Sequence, residues 1–151
     1  EGEYWDGLAD RRALHKVDTP FDERAYLHFS FGAYHGHGEC CWRLGDLAAA
    51  GRGCDASTAR AFSLYRRAFD LESGRIDEDR ASTGNAALRL ARAFELGRGC
   101  AQDFRRARTW YRLAAISLGA AFDGGQWHFK RERLEARRGV ARMAQEIAGT
   151  Y

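Results

Sequence analysis

One short stretch, His35-Gly36-His37-Gly38-Glu39-Cys40-Cys41, gathers two imidazoles, two thiols and a carboxylate. Zinc takes nitrogen and sulfur donors in a tetrahedron, so His35, His37, Cys40 and Cys41 are a candidate metal set, with the distant His15, His28 or His128 to complete it. Spacing of this kind specifies a ligand set only loosely. No paired Cys-x-x-Cys framework accompanies it. The reading carried forward is therefore no metal and no cofactor, with metal binding through these four residues kept as an alternative. Gly51-Arg52-Gly53-Cys54 and Gly97-Arg98-Gly99-Cys100 are glycine-rich enough to raise phosphate binding. A phosphate loop needs a Lys-Ser/Thr after it and a strand before it, and neither is present, so these glycines read as turn residues. Ser63, Ser73 and Ser82 have no nucleophile motif around them. No nucleophile–base pair stands out, and the expectation is that the chain is not an enzyme.

The two glycine turns matter more as a ruler. They recur at an offset of 46, and the same offset joins Gly38 to Gly84, Leu44 to Leu90, Ala61 to Ala107, Tyr65 to Tyr111 and Ala68 to Ala114. One ungapped register thus links Gly38–Ala68 with Gly84–Ala114. Self-similarity at such a period is the mark of a repeat architecture. A partial copy upstream, Arg24-Ala25 through Phe29 and Gly36, reads as the second helix of a unit. Its spacing to Gly38 is ten residues shorter than that of the later copy, which leaves a core period of 36 and an inserted loop at 72–83.

Each unit reads as two helices. Leu44-Gly45-Asp46-Leu47 and Leu90-Ala91-Arg92-Ala93 carry apolar residues at helical spacing. Gly51 and Gly97 are placed to end those first helices. Ser57 and Asp103 stand where the second helices need an N-cap. Ala61, Leu64, Tyr65 and Ala68, and then Ala107, Trp110, Tyr111 and Ala114, form the inward faces of the second helices. Upstream, Thr19-Pro20-Phe21-Asp22 supplies an N-cap, a proline at the first helical position and an acid in the first turn. The expected organisation is an N-terminal helix or cap at 1–18, a partial unit at 19–36, and units at about 37–71 and 84–115. A loop and C-terminal capping helix then occupy 116–151. That last helix is expected from Gln126 to Ile147, with Leu134, Val140, Met143, Ala144 and Ile147 as its apolar stripe. Leu134 lies 46 beyond Leu88, so the helix reads as a diverged first helix of a further unit, acting as a cap. The fold class is all-α, an antiparallel helix-pair solenoid with capped ends.

Composition agrees. The 151 residues are 45% hydrophobic and 30% charged, with Pro20 as the single proline. One domain is the default at this length. A formal charge of +3 is too small to imply nucleic acid, and no apolar run spans a bilayer. Lys16 and Lys130 are the only lysines among 24 basic residues, a skew expected of a GC-rich bacterial genome. The first residue is Glu1 rather than methionine, as expected of a processed or trimmed chain in which a leader would not be visible.

The residues of the two units resemble the Sel1-like repeat family, relatives of tetratricopeptide repeats. Leu44-Gly45, Gly51-x-Gly53, Arg60-Ala61 and Tyr65 carry the resemblance in one unit. Leu90-Ala91, Gly97-x-Gly99, Asp103, Arg106-Ala107, Trp110-Tyr111 and Ala114-Ala115 carry it in the next. It covers about Phe21 to Ala115. Cys54 and Cys100 depart from it where an apolar residue is usual, as do Ser57 in place of Asp and the insertion. By this resemblance His37 falls in an ordinary inter-helix turn and His28 at a packed aromatic position. Cysteine-rich relatives staple facing helices with disulfides. Here Cys54 and Cys100 share one position of successive units, and stacked helices about 8–10 Å apart leave that pair beyond disulfide reach, so buried thiols are expected.

The resemblance implies a concave surface lined by first helices, and a role in holding another protein. Glu39, Arg43 and Asp46 in one unit and Asn85, Arg89, Arg92 and Glu95 in the next are the expected binding residues. Their arginines suit a protein or peptide partner carrying carboxylates. The leading function is an interaction adaptor in a bacterial pathway. The alternatives are an inhibitor or immunity protein for a cognate toxin or enzyme, and the metal-binding reading above. Nucleic acid and membrane insertion are not expected. The compartment, periplasm or cytoplasm, and the oligomeric state stay open. Trp127-His128-Phe129 is expected to seal the end of the stack, and Lys130 to Arg142 to be a solvated helix face.

Overall fold

The computed structural model describes residues 20–150, and within them it is six α-helices and a single 3₁₀ turn, with no strand. The helices are α1 (Pro20–Tyr34), α2 (Gly38–Ala50), α3 (Thr58–Glu72), α4 (Arg80–Leu96), α5 (Phe104–Asp123) and α6 (Lys130–Ala148). The helix or cap expected at 1–18 lies outside the described residues.

Each helix packs on the next in sequence, as short connections require. The first helices α2, α4 and α6 also touch one another along the row, whereas no pair of second helices does so to a comparable extent. First helices closer together than second helices curve the stack around the first-helix side. Helix α4 sits at the middle, and eight consecutive residues from Ala81 to Leu88 are buried. The core forms two clusters, one around Trp42, Leu44, Leu47 and Tyr65, the other around Leu88, Tyr111, Leu118 and Met143. Phe62, Phe69 and Trp110 border both. Edge-on contacts of Phe62 with Phe94 (5.5 Å) and Phe69 with Trp110 (4.8 Å) join the units.

Local chemistry sets the helix ends. Ser57 Oγ accepts from the Arg60 N–H, and Asp103 accepts from those of Arg105 and Arg106. Helix α2 is capped from a distance: the Gly38 N–H donates to Glu72 Oε2 (3.3 Å) at the end of α3. The other Glu72 oxygen accepts from the Asp79 N–H (3.2 Å), so one buried carboxylate ties the start of α2 to the insertion. The insertion is shorter as a loop than the expected 72–83. Asp79 accepts from Ala81 and Ser82, and α4 therefore begins at Arg80, a full turn early. Only 73–79 lie between helices.

The last helix also differs from its expectation. The 3₁₀ turn Trp127–Phe129 precedes it, and it starts at Lys130 rather than Gln126. Its buried residues are Ala136, Gly139 and Met143, while Leu134 and Ala144 are exposed. No second helix follows α6 within the described residues to cover Leu134, whereas α5 follows α4, and Leu88 is fully buried.

The glycine turns after α2 and α4 are the same object. Gly51 and Gly97 both have φ +68, and Gly53 and Gly99 have φ +76 and +78. A Cβ on Gly53 would strike the Asp22 carbonyl oxygen, and one on Gly99 the Thr58 carbonyl oxygen. Each turn is thus pressed against the first turn of the preceding second helix. Gly74 has a similar φ of +83 with nothing near it. Gly74→Ala should cost about 1–2 kcal/mol, the left-handed strain alone. Gly99→Ala adds the backbone clash and should lower Tm by several degrees more than Gly74→Ala in a thermal melt. Equal shifts would contradict the close approach.

Candidate functional site

On the first-helix side, residues of successive units are joined by ion pairs. Asp46 on α2 and Arg89 on α4 form a two-pronged pair, Nε to Oδ1 at 2.7 Å and Nη2 to Oδ2 at 2.9 Å. The Tyr65 hydroxyl donates to the same Oδ1 (2.7 Å). Arg89 Nη1 donates back to the carbonyl (3.1 Å) and the side-chain oxygen (3.0 Å) of Asn85. Burial works against the Arg89 charge, but the Asp46 carboxylate outweighs it and its pKa is raised. Burial and the Asp46 charge also push the Tyr65 phenol up, so it stays a donor. Two guanidinium groups lie over the Trp42 ring, Arg89 Cζ at 4.2 Å and Arg43 Cζ at 4.4 Å from its centroid.

The pattern repeats one unit on with its polarity exchanged. Arg92 Nε pairs with Glu135 Oε2 of α6 at 2.6 Å, and both this pair and Asp46–Arg89 are 43 residues apart. Displacing Asp46 and Arg89 by the 46-residue period lands on Arg92 and Glu135. Helix α6 therefore stands to α4 as α4 stands to α2. Glu95 adds a third link. It accepts from Arg142 Nε (2.7 Å) and Nη2 (2.9 Å) and from the Tyr111 hydroxyl (2.5 Å). These bonds, led by that from Arg142, hold the Glu95 carboxyl below its usual range despite partial burial.

Of the seven expected binding residues, six lie on this side with some exposure, and Asn85 is buried. The early start of α4 puts a turn of helix over Asn85, whose Nδ2 donates to the Ala81 carbonyl (2.9 Å), and Arg89 folds onto it. Glu39 and Arg43 pair with each other along α2 (2.8 Å). Arg92 and Glu135 stay more than a third exposed, which leaves the pair accessible to a partner. Sequence reading gave Trp42, Glu135 and Arg142 no place in this network, and read Tyr65 and Tyr111 only as inward-facing residues of the second helices. The signal for Glu135 was present, since an acid at 135 answers an arginine at 92 as Arg89 answers Asp46.

The His/Cys stretch does not converge. Cys40 sits against Gly32 of α1, while Cys41, one residue on along α2, is fully buried in the core. His35 and His37 are exposed at the rim of an open depression that includes His28 and Cys40. Among the described residues, no three His, Cys, Asp or Glu side chains are placed to hold a metal ion. All four cysteines are free thiols. Burial pushes the Cys41 and Cys100 thiols up, away from the reactive thiolate. No helix among the described residues is long and apolar enough to cross a membrane.

Because the Glu95 carboxyl is depressed in the fold, its contribution to stability is present above the unfolded carboxylate pKa. It is lost as pH falls through the lower folded value. Glu95→Gln should therefore destabilise the chain at neutral pH, and the Tm gap to the parent should narrow as pH drops below about 4.3. A gap independent of pH would contradict the Arg142 pairing.

The family model described as Sel1 repeat matches residues 38–73 and 84–116, which are α2 with α3 and the bulk of α4 with α5. No curated protein matches the chain. The repeats found in the sequence, the antiparallel helix pairs and the two matched segments coincide, and the chain is a Sel1-like repeat protein.

Proposed function

We propose that this chain is an adaptor of a bacterial pathway that holds a protein or peptide partner along its first-helix face. Sel1 repeats are generally protein–protein interaction modules, not catalytic ones. The observation that carries the reading is the row formed by Glu39, Arg43, Asp46, Arg89, Arg92 and Glu95. These groups are held in place by ion pairs, with one another or with Glu135 and Arg142 of α6, yet stay partly open to solvent. Side chains already ordered lose little entropy on binding, so a row of this kind is a prepared surface. Guanidinium groups in it can exchange an internal carboxylate for one on a partner with little change in geometry.

The pairs are not equivalent as targets. Arg89 is largely buried and ties two units, so its removal damages the fold. Arg43 and Arg92 are more exposed and report on binding. Arg43→Ala with Arg92→Ala should reduce partner capture from the native organism at least tenfold, while lowering Tm less than Arg89→Ala does. Arg67→Ala, at an exposed position of α3 outside the row, should leave capture intact. Quantitative mass spectrometry of the captured proteins reads both. Capture that survives the double variant would overturn the reading.

A further inference from the structure

The two glycine turns have the same backbone, but the arginines they carry meet different partners. Arg52, in the turn after α2, reaches Asp22 in the first turn of α1, with Nη2 and Nε at 2.9 and 3.2 Å from Oδ1. The pair is almost wholly buried. Arg98 leaves the equivalent point of the turn after α4. The amide bonds match, Arg52 N–H to the Leu47 carbonyl and Arg98 N–H to the Ala93 carbonyl, both 2.9 Å. The facing helix matches too, since Gly53 abuts the Asp22 carbonyl as Gly99 abuts that of Thr58. Thr58 thus stands where Asp22 stands, and it brings no carboxylate. Among the described residues, no acid lies within ion-pair distance of the Arg98 guanidinium.

A cleft of about 140 Å³ opens at this point. Thr58 and Phe62 of α3 line it together with Arg89, Arg92 and Arg98. Asp46 is the single acid lining it and is already engaged by Arg89. The cleft is therefore cationic, with an apolar floor and a charge whose internal partner is present one unit earlier and missing here.

We propose that the Arg98 cleft receives a side-chain carboxylate from the bound protein, which takes the place that the Asp22 carboxylate occupies on Arg52. This deepens the adaptor reading and rests on it. The site offers a planar guanidinium for a two-oxygen contact, the Thr58 hydroxyl as a further donor, and Phe62 for the carbons of the acidic side chain.

The test uses the whole chain and acetyl-aspartate amide as probe, with acetyl-asparagine amide as control. The readout is the Arg98 side-chain Nε–H resonance, assigned by its loss in Arg98→Lys. A saturable shift with the aspartate probe at about millimolar concentration, and none with the asparagine control, is the expected result. Thr58→Asp should fill the site from within, weaken the probe at least tenfold and raise Tm by a few degrees. An acid in the first turn of a helix is stabilising by itself. The Tm gain must therefore shrink in the Arg98→Ala background to count for the pair. An Arg98 resonance silent to the probe, an equal response to asparagine, or a Tm gain indifferent to Arg98 would each overturn the proposal. None of these bears on partner capture by the Arg43 and Arg92 variants, so failure of the cleft and failure of the adaptor reading are read separately.

Discussion

Asp46 and Arg89 meet across the boundary between two repeats, and the geometry of the stack depends on their meeting. The arginine has been taken largely out of water, which is costly, and this is offset by its two-pronged pair with Asp46, whose carboxylate the Tyr65 hydroxyl also holds, and by the Trp42 ring. Apolar packing already fits one helix closely against another, as at Gly45 against Tyr65, and the ion pair adds a penalty for any other register. The desolvated guanidinium finds its carboxylate in one position only. The same link recurs as Arg92–Glu135 with the charges exchanged, because the geometry needs a cation and an anion at those positions and not a particular order. Helix α6, which carries no second helix after it among the described residues, is held in register by that second link and by Arg142 on Glu95.

The network also shapes the surface. Pairing orders long arginine side chains that would otherwise sample many rotamers, and it leaves their outer edges wet. Burial therefore grades the row: Arg89 is the most buried, Arg43 and Arg92 are more open to solvent, and Arg98 has no internal acid among the described residues. The contrast between Arg52 and Arg98 is informative because the backbone around them is alike, while Arg52 is buried and Arg98 exposed. The turn, the amide bonds and the backbone approach are shared, while Asp22 and Tyr26 at the first turn are replaced by Thr58 and Phe62 at the second.

Much of this was legible in the residues. The 46-residue offset located both helix pairs because turn glycines and small interhelix residues are constrained by backbone geometry, which leaves its mark in sequence. The caps at Ser57 and Asp103 were readable for the same reason. What escaped depended on neighbours. Asp79 caps α4 early, so the inserted loop shortened, and Asn85, matched in register to the exposed Glu39, became buried under the added turn. Leu134 matched the buried Leu88 in register, but no following helix among the described residues covers it. Glu72 looked like the start of a loop and is the cap of a helix 34 residues away. The charged row was found by face but read as open, since a single helix does not reveal which acids the next one brings.

The most direct test of the account is a double-mutant cycle on Asp46 and Arg89, read by chemical denaturation. Asp46→Ala and Arg89→Ala are compared singly and together. If the pair fixes the register of the stack, the coupling energy should be at least about 1 kcal/mol, with the double variant less destabilised than the sum of the single ones. Strict additivity would mean that packing alone sets the register, and would contradict the account.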